Sequence, residues 1–117
     1  MITELEPNQI FVFGSNRNGH HLGGAAKQAY DQFGAVWGEC EGLFGQSYAF
    51  PTLRKDFTQV SQKQLIMSRR LFYKVCAENS DKEFLLTPVG TGIAGFSKTY
   101  INDLFKNLPS NVKKVGW

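Results

Sequence analysis

Gln9-Ile10-Phe11-Val12-Phe13-Gly14-Ser15-Asn16 is the stretch on which the reading of this chain turns. Its apolar run shows no alternation and stops at Gly14-Ser15-Asn16. A strand with one wet face alternates apolar and polar residues, whereas an unbroken run reads as a strand buried on both faces. A turn-rich stretch from Gly14 to Gly24 follows. Ala26, Ala29, Tyr30 and Phe33 then fall at i, i+3, i+4 and i+7, one face of a helix, and Gly34 stands where a helix end favours a left-handed residue. Strand, glycine loop and helix in that order begin a βα unit.

The same sequence of events recurs downstream. Phe84-Leu85-Leu86-Thr87-Pro88-Val89 is a second buried strand, and it runs into Gly90-Thr91-Gly92-Ile93-Ala94-Gly95. Ile101, Leu104, Phe105 and Leu108 mark the next helix face, with Ser97 as its N-cap. Between these units, Ala35-Val36-Trp37 reads as a short strand, Gly38 to Gly45 as a loop, and Ser47-Tyr48-Ala49-Phe50-Pro51 as a strand. Thr58 to Asn79 reads as a long helix, with Val60, Met67, Leu71 and Val75 facing inward and Lys63, Arg70 and Lys74 facing solvent. Val112 to Val115 adds an edge strand. The chain shows no internal repeat, low-complexity tract or domain boundary. The β-α-β-α-β-α order predicts one α/β domain over residues 1–117, a mostly parallel sheet covered by helices on both faces.

Composition sets limits on function. At 117 residues the chain suffices for one core and not two, and 42% hydrophobic content excludes a disordered tail. A net charge of +3 suits an anionic ligand but lacks the Lys/Arg blocks of a dedicated nucleic-acid binder. Cys40 and Cys76 are isolated, with no histidines at zinc-ligand spacing, so the expectation is no metal and two small packing residues in a reducing compartment. Met1 to Pro7 has neither the basic start nor the apolar stretch of a secretion signal, and no run approaches the roughly 20 apolar residues that span a bilayer. A cytoplasmic protein with no membrane partner is expected.

Two of the three strong strands end in glycines followed by a helix, and in open α/β sheets ligands bind beyond the carboxyl ends of strands. Glycine admits close approach of a phosphate, and free N–H groups at a helix start attract anions. Two such loops on one edge suit a diphosphate, with no separate cofactor. The chain has neither G-x-x-x-x-G-K-S/T nor G-x-G-x-x-G after the first strand, so the usual nucleotide fingerprints are missing. His20 and His21, in the first loop, are the residues whose type suits proton transfer near neutral pH, set against a plain reading as solvated loop histidines. Lys27 reads equally as a phosphate contact or a surface lysine. Asp31 and Asp56 have no partner at a telling spacing, and Ser15 has no histidine–carboxylate company. Tyr48 and Trp37 read as core residues first and as base-stacking platforms second.

Pro88-Val89-Gly90-Thr91-Gly92-Ile93-Ala94-Gly95-Phe96 resembles the second ligand loop of macro domains, where an apolar strand runs into G-T-G-I-x-G-aromatic. Ile10 to Asn16 is similar to that family's strand ending in N-A-A-N, and Gly23-Gly24-Ala25-Ala26 falls where the family has its glycine loop. The chain also resembles little-characterised bacterial and phage proteins that share I-F-V-F-G-S-N, G-A-A-K and S-Y-A-x-P-T strings. The resemblance implies a three-layer α/β/α macro-like domain with an ADP-ribose site. In it Gly90, Thr91, Gly92, Ile93, Ala94 and Gly95 wrap the diphosphate and Phe96 packs by the distal ribose. Asn16, beside Gly14 and Ser15, meets that ribose or a hydrolytic water, and Gly23, Gly24 and Ala25 approach from the other side. Three departures from the family pattern leave binding better supported than catalysis. Phe13 replaces the family's first asparagine, and the aspartate of hydrolytic members is absent from Gly24-Ala25-Ala26-Lys27. Only Glu4 or Glu6 could replace its adenine-binding aspartate. Two readings follow: an ADP-ribose binder with or without hydrolysis of an ADP-ribosyl bond, or a nucleotide-sensing domain of another family.

Overall fold

The computed structural model describes residues 2–117; Met1, the first residue of the leader reading, lies outside them. The elements are β1 (Gln9–Asn16), α1 (Gly24–Gln32), β2 (Gly42–Phe44), β3 (Ser47–Leu53), α2 (Gln62–Glu78), β4 (Glu83–Leu86), α3 (Lys98–Leu104) and β5 (Val112–Lys114). They build one five-stranded sheet in the order β2-β3-β1-β4-β5. β1 is parallel to β3 and β4, β4 is parallel to β5, and β2 alone runs antiparallel, on β3.

The unbroken apolar run of β1 serves two cores. Ile10 and Val12 point to the α2/α3 side, among Tyr48, Phe50, Leu65, Phe72, Phe84, Ile101 and Phe105. Phe11 and Phe13 point to the α1 side, among Ala29, Phe33, Ala35 and Ala49. Helices therefore cover both faces, giving the expected three layers. Burying one such side chain stabilises by about 1.5–3 kcal/mol, so this strand carries a large share of the fold. Among the described residues no helix is long and apolar enough to cross a membrane.

Local signals place most element ends. Gly34, at φ +83, follows the C-cap residue of α1. The side chain of Ser97 accepts the N–H of Tyr100 at the start of α3. Ser61 and Gln64 form a reciprocal capping box, so α2 starts at Gln62 rather than Thr58. The residues ahead of it are held otherwise, with Gln59 bridged to Leu53 and the N–H of Val60 donating to the carbonyl of Thr52.

Several expectations are corrected. The inward row of α2 is Leu65, Ser68, Phe72 and Cys76, while Met67 and Leu71 lie exposed. A serine and a cysteine occupy inward positions there, which shifts the apparent apolar stripe around the helix. Lys63, Arg70 and Lys74 are exposed, as expected. Tyr30 is exposed although it shares the helix face of Ala29. Ala35-Val36-Trp37 is not a strand: Ala35 is buried beneath α1, and the stretch is tied by the Ala35 N–H to the carbonyl of Ala29. The predicted loop 38–45 instead contains β2, turned back onto β3 at Gly45 (φ +59). Both cysteines are free, but only Cys76 is a packing residue; Cys40 is half-buried, with its Sγ 3.9 Å from Arg17 Nη1.

Tyr48 is fully buried, and its ring packs 4.9 Å from that of Phe72. Its hydroxyl finds no hydrogen-bond partner among the described residues. Burial, reinforced by the Glu41 carboxylate, raises its pKa above the 10.0 of a free phenol. The Cys76 thiol is likewise pushed up to about 12 by burial. Both groups keep their protons in the folded chain after the unfolded chain has lost them. Their contribution is thus complete at neutral pH and is lost as pH climbs through the alkaline range. Tyr48→Phe keeps the ring contact and removes the unpartnered hydroxyl. We expect its urea midpoint at pH 7 to rise by the equivalent of about 1 kcal/mol, with a shallower loss of stability above about pH 10.

Candidate functional site

In the order β3-β1-β4 the chain leaves two neighbouring strands towards opposite faces of the sheet. β1 feeds α1 on one face, and the loop after β4 leads to α3 on the other. Their diverging loops leave a crevice beyond the carboxyl ends of neighbouring parallel strands, the usual ligand position in such sheets. The crevice is a cleft of about 450 Å³. The first loop lines it with residues 14–16, His20 and residues 22–26, and the second with residues 87–90 and 92–94. Thr52, Leu53 and Phe57, from the end of β3 and beyond, complete the wall.

Backbone, not side-chain charge, supplies the polarity. Gly14 has no side chain to hold the loops apart: a Cβ there would lie 3.2 Å from the backbone nitrogen of Gly90. The second loop turns through left-handed Gly90 (φ +75) and Gly95 (φ +77). It closes on itself through the N–H groups of Thr91, Gly95 and Phe96, which donate to the carbonyls of Pro88, Gly92 and Gly90. The N–H groups of Gly90, Gly92, Ile93 and Ala94 donate to no acceptor among the described residues. Across the cleft Gly23 stands at the N-cap of α1 and offers no side-chain cap, and the first helical bond is from Lys27 to the carbonyl of Gly23. The N–H groups of Gly24, Ala25 and Ala26 are therefore also free, at the positive end of the helix dipole.

The structure distributes the expected site residues unevenly. Gly14, Ser15, Asn16, His20, Gly23, Gly24, Ala25, Gly90, Gly92, Ile93 and Ala94 line the cleft. Thr91, Gly95 and Phe96 shape the second loop behind it, and Phe96 stacks on Tyr100 with ring centres 5.7 Å apart. Asn16 spends half of its amide on its own loop: Nδ2 donates to the carbonyl of His20 at 2.9 Å, and Oδ1 accepts the N–H of His20 at 3.1 Å. The ring of His20 lies flat on Trp37, centres 4.9 Å apart. His21 is not a solvated loop residue. It is 2% exposed, edge-on to Phe13, with Nε2 2.9 Å from the carbonyl of Val36, and it stands outside the cleft lining. The Phe13 ring in β1 and the Val36 carbonyl hold it in the core.

The hydroxyls around the cleft are engaged with main chain. Ser15 donates to the carbonyl of Cys40, Thr52 to that of Ser15, and Thr87 to that of Val12. Among the described residues the lining holds no Asp, Glu, Lys or Arg. Lys27 is paired instead with Asp31 on the outer side of α1. Asp56 accepts from Thr58, bonds that hold its carboxyl below the usual range. No group of three His, Cys, Asp or Glu among the described residues could hold a metal ion. Tyr48 lies in the core as expected, whereas Trp37 is not a core residue: it is exposed and stacks on His20, outside the cleft lining. Leu22, Thr52, Leu53, Phe57 and Thr87 were not legible as site residues. The sequence predicts Thr87 inside a strand running from Phe84 to Val89, but β4 ends at Leu86 and leaves Thr87 at the cleft.

No protein-family model matches the sequence, and no curated protein matches it. Among solved structures, the macrodomain of Mycobacterium tuberculosis DarG is similar over 94% of this chain and 88% of that one, with a TM-score of 0.68 and 18% identity. The fold is that of a macrodomain.

A second cavity, about 540 Å³, opens from the same edge of this macrodomain fold. It shares Gly24, Ala25, Thr87 and Pro88 with the cleft and is otherwise walled by Ile2, Phe11, Gln28, Val115 and Gly116. Neither Glu4 nor Glu6 reaches either lining.

The loop that carries His20 is pinned by a backbone contact. Gly19 sits at φ +67, the N–H of Gly38 donates to its carbonyl at 2.9 Å, and a Cβ on it would lie 2.4 Å from the carbonyl carbon of Gly38. Gly19→Ala should therefore lower the unfolding free energy by at least about 2 kcal/mol, read by urea denaturation, because main chain cannot give way as a side chain can.

Proposed function

We propose that the cleft binds ADP-ribose, or a closely related NAD-derived nucleotide, by its diphosphate. One observation carries this reading: two sets of free backbone N–H groups, residues 24–26 at an uncapped helix start and Gly90, Gly92, Ile93 and Ala94 opposite, converge on one cleft of about 450 Å³. Such donors suit an anion with many oxygens, and the volume suits a nucleotide-sized ligand. The adjoining apolar cavity, with Phe11, Pro88 and Val115 in its wall, suits the base. The macrodomain fold and the Gly90–Phe96 loop support the same ligand. The ligand's far ribose lies on the side of Asn16, so it is accepted free or as a group on an ADP-ribosylated macromolecule. Two unbridged cysteines support a reducing, cytoplasmic setting.

Calorimetric titration with ADP-ribose tests the reading directly, and absence of heat at millimolar ligand would sink it. Gly92 provides the control. It has no left-handed φ, and a Cβ there meets nothing within 4 Å, so the fold accepts a side chain that the ligand does not. Gly92→Phe should leave the melting temperature unchanged and weaken ADP-ribose at least tenfold, about 1.4 kcal/mol.

Hydrolysis of an ADP-ribosyl bond is the second reading, and its support is His20, the one titratable side chain in the cleft lining among the described residues. A positioned water and a base are what the reaction requires. Release of ADP-ribose from a modified substrate, lost in His20→Ala while ADP-ribose binding persists, is the expected outcome for a hydrolase. No turnover in the native protein would leave a pure binding module.

A further inference from the structure

Phe57 stands at the mouth of the cleft with its backbone at φ +64, a conformation that crowds any side chain and that glycine or asparagine usually fills. A tight turn enforces it. The N–H of Arg54 donates to the carbonyl of Thr58 at 2.7 Å, and the N–H of Phe57 to that of Arg54 at 2.9 Å. Asp56 Oδ1 accepts both the N–H and the hydroxyl of Thr58. The turn is fastened to both glycine loops: Asn18 Nδ2 donates to the carbonyl of Lys55, and Gln59 Nε2 to that of Ala94.

The ring held at this strained position stays 51% exposed. Leu22, at 66%, and Ile93, at 92%, join it from the first and second loops, and all three line the same cleft. Strain that gains no burial is a burden on folding and points to a role in contact with something else. The apolar cavity beyond the shared Gly24 and Thr87 includes none of these three residues, so the cleft has two separate apolar surfaces besides its free N–H groups.

We infer that the collar receives a second planar ring, carried on the ribose beyond the diphosphate, and that the site takes an intact dinucleotide. One base enters the apolar cavity, the diphosphate lies between the loops, and the other ring packs on Phe57 with Leu22 and Ile93 at its rim. Phe57 is then the residue that distinguishes a dinucleotide from ADP-ribose. This rests on the diphosphate reading of the cleft.

Titration calorimetry with NAD and with ADP-ribose, on the native protein and on Phe57→Gly, tests it. The native protein should bind NAD about threefold to tenfold more tightly, the range that one aromatic stack gives. Phe57→Gly should bind both ligands within about twofold of each other. Its melting temperature should rise, since glycine is at ease at this φ. A residue kept for structure alone would raise the melting temperature without touching the ratio of affinities. A native protein that binds ADP-ribose at least as tightly as NAD overturns the inference, as does a variant that keeps the NAD preference; both leave the diphosphate reading standing. Binding of neither ligand overturns both.

Discussion

β1 is longer than its partner on one side, and that mismatch opens the site. Its pairing with β4 ends at Val12 and Leu86, while its pairing with β3 runs on to Asn16 and Leu53. Beyond Leu86 the pairing with β1 stops, and the carbonyl of Val12 accepts the Thr87 hydroxyl at 2.6 Å. The gap stays narrow because Gly14 admits the backbone of Gly90. Strand burial on both faces fixes where β1 lies; the early end of β4 fixes where the cleft is. The loops, the helix start and the collar are arranged around that end.

Polarity in the cleft comes from peptide dipoles held by turns rather than from mobile charged side chains. Fixed N–H groups need no reordering when an anion arrives, and they lose little affinity to screening compared with exposed lysines. Recognition is then a matter of shape and of N–H spacing. The same arrangement is poor in proton-transfer groups. Ser15 and the threonines are bonded to carbonyls, Asn16 is half spent on its own loop, and Asp31, Asp56 and Glu41 are occupied elsewhere.

What the sequence conveyed well was local. The unbroken run of Ile10 to Phe13, the glycine after α1, the Ser97 cap and the glycine string 90–95 each encode their structure within a few residues, and each stands as read. Other features depend on distant parts of the chain. Ser68 and Cys76 are buried on the inward face of α2, which no periodicity of α2 reports. His21 is buried because Val36 and Phe13 flank it, so adjacency to His20 misleads. β2 is three residues long and exists by pairing with β3. Phe57 contradicts its own propensity, since an aromatic is a poor choice for a left-handed position. Only the bonds from Asn18 and Gln59 to the surrounding loops reveal where its turn is held.

The unfinished start of α1 ties this helix to whatever fills the cleft. Nine residues without a side-chain cap, and without an acidic residue in the first turn, form a helix that isolation would not sustain. Under the proposed reading, an anion seated against residues 24–26 would supply the acceptors that the chain omits. Occupancy and helix order then become one equilibrium, and amide exchange in that first turn becomes a gauge of ligand concentration. The same coupling runs in reverse: a change that loosens α1, however far from the cleft, weakens the ligand by the free energy that the ligand contributes to the helix.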